Sequence, residues 1–254
     1  MALLHCEIKS ESIRMVTSLH VILPQDIHRI NREPVKTLYL LHGRSHNYSV
    51  WTRYTGLEQY AQMYNIAVIM PEVNRSFYSD MRYGLDYQTY IAEELPGLCE
   101  AMFHISRDHR DRYIAGMSMG GYGALKTALS HPGCYAGCGA LSAVTELPRH
   151  IRETPENTPK KQEFRGIFGE DLQTAPADDI YHLVSQAASQ SRQDQLPRLY
   201  LACGKQDHLY PESVRLNRHL KKMNYPALFE EWDGTHDWNF WDSAVKRVLE
   251  YFFT

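Results

Sequence analysis

Ser118, Asp207 and His236 are the residues whose types and order in this chain could do chemistry together. Ser118 stands in Gly116-Met117-Ser118-Met119-Gly120, with a short apolar strand (Tyr113 to Ala115) before it and a helix-compatible stretch (Ala124 to Leu129) after it. Strand, sharp turn, helix is the context in which G-x-S-x-G forms a nucleophile elbow. A free serine hydroxyl is a weak nucleophile, so it has to be held proud of the backbone where an imidazole can take its proton. The tight turn forces a strained backbone on Ser118, and the flanking glycines let strand and helix approach.

The acid and the base should follow the serine in the chain, in that order, on loops after later strands. Asp207 lies four residues past the strand that ends at Cys203, in LYLACGKQD. His236 lies in EEWDGTHDW, between the last strand and the last helix. A glycine shortly before each permits a tight loop. Asp207 has an alternative role as cap of the helix that begins near Pro211. Asp233 and Asp237 are rival acids, although both would have to fold back to reach Nδ1 of a histidine so near in the chain.

Attack on a carbonyl puts negative charge on its oxygen, and two preorganised backbone N–H donors stabilise that charge. The amide of Met119, directly after the nucleophile, is one expected donor. His42-Gly43 ends the apolar strand TLYLL, and the loop there should supply the second donor from the amide of Arg44, less well from Gly43. Because the backbone donates, the Arg44 side chain is free to vary and reads as a surface arginine. His42 reads as a brace for the loop. Trp51, Tyr78 and Trp238 fall near the catalytic loops and are candidate walls of a small apolar pocket.

Positioning these residues takes a sheet. Ala2 to Lys9 and Ser12 to Leu23 read as antiparallel strands; Thr37 to Leu41, Ile66 to Met70, Cys138 to Leu141, Leu199 to Cys203 and Ala227 to Trp232 read as further strands. Helices are expected over Gly56 to Tyr64, Tyr87 to Phe103 (kinked or interrupted at Pro96), Val214 to Met223 and Trp238 to Phe253. Residues 74–84 read as loop. Buried strands alternating with helices predict an α/β fold with a mostly parallel central sheet, helices on both faces and an antiparallel N-terminal edge. Residues 145–195 break the rhythm with Pro148, Pro155, Pro159 and Pro176, and offer only a weak helix around Ile180 to Ala188. The expectation is one domain, 1–254, with a lid-like or interface insertion over 145–195; self-association through it stays open.

The remaining composition excludes more than it selects. A net charge of −3 gives no reason to expect nucleic acid or an acidic membrane surface as partner. Five cysteines without paired spacing read as reduced thiols, and neither they nor the 13 histidines form a metal motif. No run approaches the length of a membrane span. MALLHCEIKSES has neither a basic n-region nor an apolar h-region, so a cytoplasmic chain without signal peptide is expected. GMSMGGYG is neither a dinucleotide fingerprint nor a phosphate loop, so no nucleotide and no cofactor are expected.

LYLLHG with Trp51 downstream, AEELP, AGMSMGGYGAL, RGIFGE, CGKQDHLY and GTHDWNFW together resemble the tributyrin esterase group of the esterase D-like esterases. The likeness runs from the first strands to the last helix. It implies an α/β-hydrolase fold and a cytoplasmic, cofactor-free carboxylesterase acting on short-chain acyl esters. Ser118, Asp207 and His236 are then the implied triad. The chain departs from the pattern at Arg44, where relatives often carry an apolar residue, and over 145–165. Three alternatives remain: an S-formylglutathione hydrolase-type thioesterase, an acetyl or feruloyl carbohydrate esterase, and a catalytically silent binding protein. S-formylglutathione hydrolases usually carry GGHGA where this chain has Gly120-Gly121-Tyr122-Gly123-Ala124, and silent relatives typically lose the serine or the histidine.

Overall fold

In the computed structural model, which describes residues 1–25 and 33–254, eight strands form one sheet in the order β1-β2-β4-β3-β5-β6-β7-β8. They are β1 (Ala2–Ser10), β2 (Met15–Leu23), β3 (Thr37–Leu41), β4 (Ala67–Pro71), β5 (Arg112–Met117), β6 (Gly137–Leu141), β7 (Arg198–Gly204) and β8 (Ala227–Trp232). β1–β2 and β2–β4 pair antiparallel, and every other pair is parallel. The chain is therefore the α/β fold expected, with its antiparallel edge at the N-terminus. β3, β4, β5 and β6 are buried at every position, as strands covered on both faces must be.

Among the described residues ten α-helices surround the sheet: α1 (Val50–Tyr54), α2 (Leu57–Tyr64), α3 (Tyr87–Thr89), α4 (Leu95–Met102), α5 (Met119–Ser130), α6 (Leu147–Glu153), α7 (Pro159–Phe168), α8 (Ile180–Gln190), α9 (Tyr210–Lys222) and α10 (Trp238–Phe253). One core layer packs α5 and α8 on one face, and the other packs α2 and α10 on the opposite face. The interruption expected at Pro96 is a π-helical turn over Tyr90–Glu94 that leads into α4. Widening the turn there absorbs a residue that has no N–H to give.

Two stretches differ from the sequence reading. α5 starts at Met119 rather than near Ala124, because its glycines are chosen for contact and not for helix propensity. A Cβ on Gly120 would lie 2.5 Å from the Leu41 carbonyl oxygen, and one on Gly123 would lie 2.3 Å from the Tyr78 ring. Residues 145–195, expected to be largely irregular, hold α6, α7 and α8. Pro148 and Pro159 sit in the first turns of α6 and α7, where a missing N–H costs nothing. Read as breakers, these prolines are in fact starters.

Candidate active site

Ser118 follows β5 and takes the N-cap position of α5 with φ 56° and ψ −117°, a conformation that non-glycine residues avoid unless their surroundings impose it. The imposition is visible. Its N–H donates to the Leu141 carbonyl at 2.9 Å, and its own carbonyl accepts from Tyr122 (3.1 Å) and Val144 (3.3 Å). Between Arg112 and Leu129, Ser118 is the one residue that is not buried.

Asp207 and His236 reach the same edge of the sheet from the loops after β7 and β8. His236 Nδ1 donates to Asp207 Oδ2 at 2.8 Å. The other carboxylate oxygen accepts the Leu209 N–H at 2.8 Å, so Asp207 braces the approach to α9 as well as holding the histidine. Its side chain is fully buried, whereas His236 keeps 23% of its surface. Burial pushes the Asp207 carboxyl up, but the hydrogen bonds from His236, Leu209 and Ser142 outweigh it and hold the group below its ordinary value. The rival acids are engaged elsewhere. Asp237 caps α10 through the Phe240 N–H at 3.1 Å, and exposed Asp233 accepts from Gln206 at 3.3 Å.

The loop after β3 is held by residues that the sequence offered as pocket walls. Trp51 and Tyr78 have no exposed surface. Trp51 Nε1 donates to the Leu41 carbonyl at 3.1 Å and the Tyr78 hydroxyl to the His42 carbonyl at 2.8 Å. Buried His42 donates from Nδ1 to the Gly43 carbonyl (2.9 Å) and accepts the Val73 N–H at Nε2 (3.2 Å), which fixes its tautomer. With the Gly43 carbonyl also taking the His46 N–H at 3.1 Å, the planar peptide turns the Arg44 N–H to the opposite side. The Met119 N–H begins α5 and has no partner within the helix. Trp238 is half-buried, stacked on Tyr54 with ring centres 4.9 Å apart and set edge-on to Trp51 and Trp241.

Arg44, read as a surface arginine, is more engaged than that reading implies. It is only 25% exposed and pairs with Glu163 of α7, 119 residues away in the chain. Ser142 is a second residue the sequence did not single out. Fully buried, with φ 44°, its hydroxyl accepts from Trp241 Nε1 at 3.2 Å and supports the Asp207 carboxylate. Trp241 also lies edge-on to the His236 ring at 4.9 Å. A serine at positive φ directly after a strand is the only local signal that could have marked it, and backbone angles are not written in the sequence.

Asp207, His208 and His236 place a potential ligand atom each within 4.8 Å of one another. Both Asp207 oxygens are already occupied by His236 and the Leu209 N–H, so the group is built as an acid–base pair and not as a metal cradle. Burial and the neighbouring His236 lower the pKa of His208, which favours the neutral ring.

The sequence model of the family described as "Putative esterase" matches residues 10–252. The chain belongs to this esterase family. Its solved relatives include the fluorophosphonate-binding serine hydrolase FphF of Staphylococcus aureus, at 35% identity and TM-score 0.90, with 100% of this chain and 98% of that one covered. The S-formylglutathione hydrolase FrmB of the same organism is 36% identical with TM-score 0.88, over 100% and 99% of the two chains. An acetyl esterase of Caldicellulosiruptor saccharolyticus is 29% identical over 99% of this chain and 98% of its own. The fold is that of the α/β-hydrolase esterases. No helix among the described residues is long and apolar enough to cross a membrane.

Proposed function

We propose that this protein is a serine carboxylesterase that hydrolyses short-chain acyl esters, acetyl to butyryl, through an acyl-enzyme. The observation that carries the reading is the 2.8 Å His236–Asp207 hydrogen bond at the sheet edge where strained, accessible Ser118 stands. His236 Nε2 takes the proton of Ser118 as its oxygen attacks the carbonyl carbon. The amides of Met119 and Arg44 receive the negative charge that develops on the carbonyl oxygen. The imidazolium, steadied by buried Asp207, protonates the departing alkoxide. A water, deprotonated by the same imidazole, then attacks the acyl carbon and frees Ser118. Family membership and the acetyl esterase relative support the ester reading and the small acyl group. No cofactor enters. Five free thiols fit a reducing compartment, so we assign the enzyme to the cytoplasm, acting on a small-molecule ester.

The kinship to FrmB favours a second reading, in which the substrate is a thioester. The same groups would serve, since only the leaving atom changes from oxygen to sulfur. Turnover of p-nitrophenyl butyrate beside S-formylglutathione separates the two. The shared mechanism is tested by Ser118→Ala, for which kcat should fall by about 10⁴ or more, because triad members act as a unit. Retention of half the activity would end the proposal.

A further inference from the structure

Where α7 leans on the loop after β3, positive charge exceeds negative. Glu163 accepts from Arg44 Nε at 3.0 Å and also from Nη2, both at one oxygen, while its other oxygen pairs with Arg75 at 2.7 Å. One carboxylate thus answers two guanidinium groups. Lys160, three residues before Glu163 on α7, adds a third cation. It is half-buried, with its ammonium 5.7 Å from the centre of the buried Phe164 ring, and no carboxylate lies within 4.0 Å of it among the described residues. The two acids in its neighbourhood are Glu163 and Glu212. Glu212 is already held by His150 at 2.6 Å and by the N–H groups of Thr145 and Glu146.

Local chemistry opposes a lysine at this place. The first turn of α7 contains no acid, and a cation at the positive end of a helix dipole is unfavourable. Its neighbour Lys161 is compensated by the carbonyls of Ile151 and Thr154. Lys160 has no such compensation, and both its burial and the charge of Arg44 work against its proton.

Its position points at the reaction. Lys160 precedes Glu163 by three residues on α7, and the Glu163 carboxylate holds Arg44; the charges of Arg44 and Glu212 both act on Lys160. Arg44 follows the oxyanion turn, whereas Glu212 holds residues 145–146, next to Val144, whose N–H binds the Ser118 carbonyl. Lys160 therefore stands one turn of α7 from the Arg44–Glu163 pair that borders the oxyanion turn.

We propose that Lys160, with Arg44 and Arg75, forms a recognition rim for a free carboxylate on the substrate, so that the preferred esters are anionic. This deepens the esterase reading and rests on it. Three cations, with Glu163 shared by two of them and Glu212 held by His150, attract an anion over long range, and partial burial strengthens the final contact beyond that of an exposed pair. The carboxylate can belong to the acyl half or the alcohol half, and the two are separable.

The test compares kcat/KM within two near-isosteric pairs by pH-stat. Monoethyl succinate against ethyl valerate places the charge on the acyl side; acetoxyacetate against propyl acetate places it on the alcohol side. In one pair the anionic ester should exceed its neutral partner by about tenfold at low salt, and the advantage should shrink as salt is added. Lys160→Met should bring that ratio down towards one, and Lys160→Arg should keep it. Because each ratio is taken within one enzyme, losses from misfolding cancel. Neutral esters hydrolysed as fast as or faster than both anionic ones would overturn the rim and leave the esterase reading intact. Failure of all four substrates would overturn the esterase reading, and the rim with it.

Discussion

A carboxylate buried in a protein interior ordinarily picks up a proton, yet Asp207 is held the other way by the donors around it. His236, Leu209 and Ser142 each favour the charged form. Asp207→Asn should therefore cut kcat by about 10⁴, as expected for a triad left with the wrong imidazole tautomer. Asp233→Asn and Asp237→Asn should leave kcat within a few-fold, apart from the lost cap at Asp237. If either of those costs more than Asp207→Asn, the acid is misassigned. The same group makes stability depend on pH. Its pKa is lower folded than unfolded, so its contribution is complete above about pH 4 and disappears as pH falls through the folded value. The stability gap between the native enzyme and Asp207→Asn, measured by urea melts, should be widest at neutral pH and close in acid; a gap that widens in acid contradicts the account. The Asp207–His236 pair and the turn at Ser118 were legible because chain order and glycine spacing mark them. Ser142 and Glu163 were not, since their partners Trp241 and Arg44 lie 99 and 119 residues away.

The elements that carry these residues obey two different rules about glycine. Gly120 exists so that α5 can touch the backbone of Leu41 and His42, where a Cβ would have no room. Gly97 in α4 has nothing within 4 Å of a Cβ. Gly97→Ala should accordingly raise stability by roughly 0.5–1 kcal/mol, the ordinary gain of alanine over glycine inside a helix. Gly120→Ala should destabilise the fold and remove activity, since both the turn at Ser118 and the loop after β3 must shift. Thermal melts of the two variants decide this, and equal effects would contradict it. Most strand ends were readable to within a residue or two, because a two-faced buried strand is a continuous apolar run, although β2 starts three residues later than expected and β5 extends beyond Tyr113 to Ala115 at both ends. α6 and α7 were missed for a local reason. Proline at the first turn of a helix and proline as a breaker look alike until the hydrogen bonds are known.

At the scale of the whole molecule, the sheet brings three distant loops to one edge, and α7 of the 145–195 segment reaches the loop after β3 through the Arg44–Glu163 pair. Of the three aromatic residues expected to line the acyl site, Trp51 and Tyr78 are spent inside, bracing the loop after β3, and only Trp238 keeps accessible surface. The length of the preferred acyl chain tests this arrangement. Each added methylene that fits should contribute about 0.8 kcal/mol, and overpacking should then cost about 1–3 kcal/mol. Across p-nitrophenyl acetate, butyrate, octanoate and palmitate, kcat/KM should peak by butyrate; a maximum at octanoate or beyond would contradict a short-chain enzyme. The central claim is narrower still: one serine, made nucleophilic by the His236–Asp207 pair, carries the acyl group. Its most direct test is peptide mapping by mass spectrometry after treatment with a p-nitrophenyl phosphonate. The account predicts one phosphonyl group per chain, on Ser118, with loss of activity in step with labelling and strongly reduced labelling in His236→Ala. A label on another residue, or full esterase activity remaining after Ser118 is labelled, would contradict it.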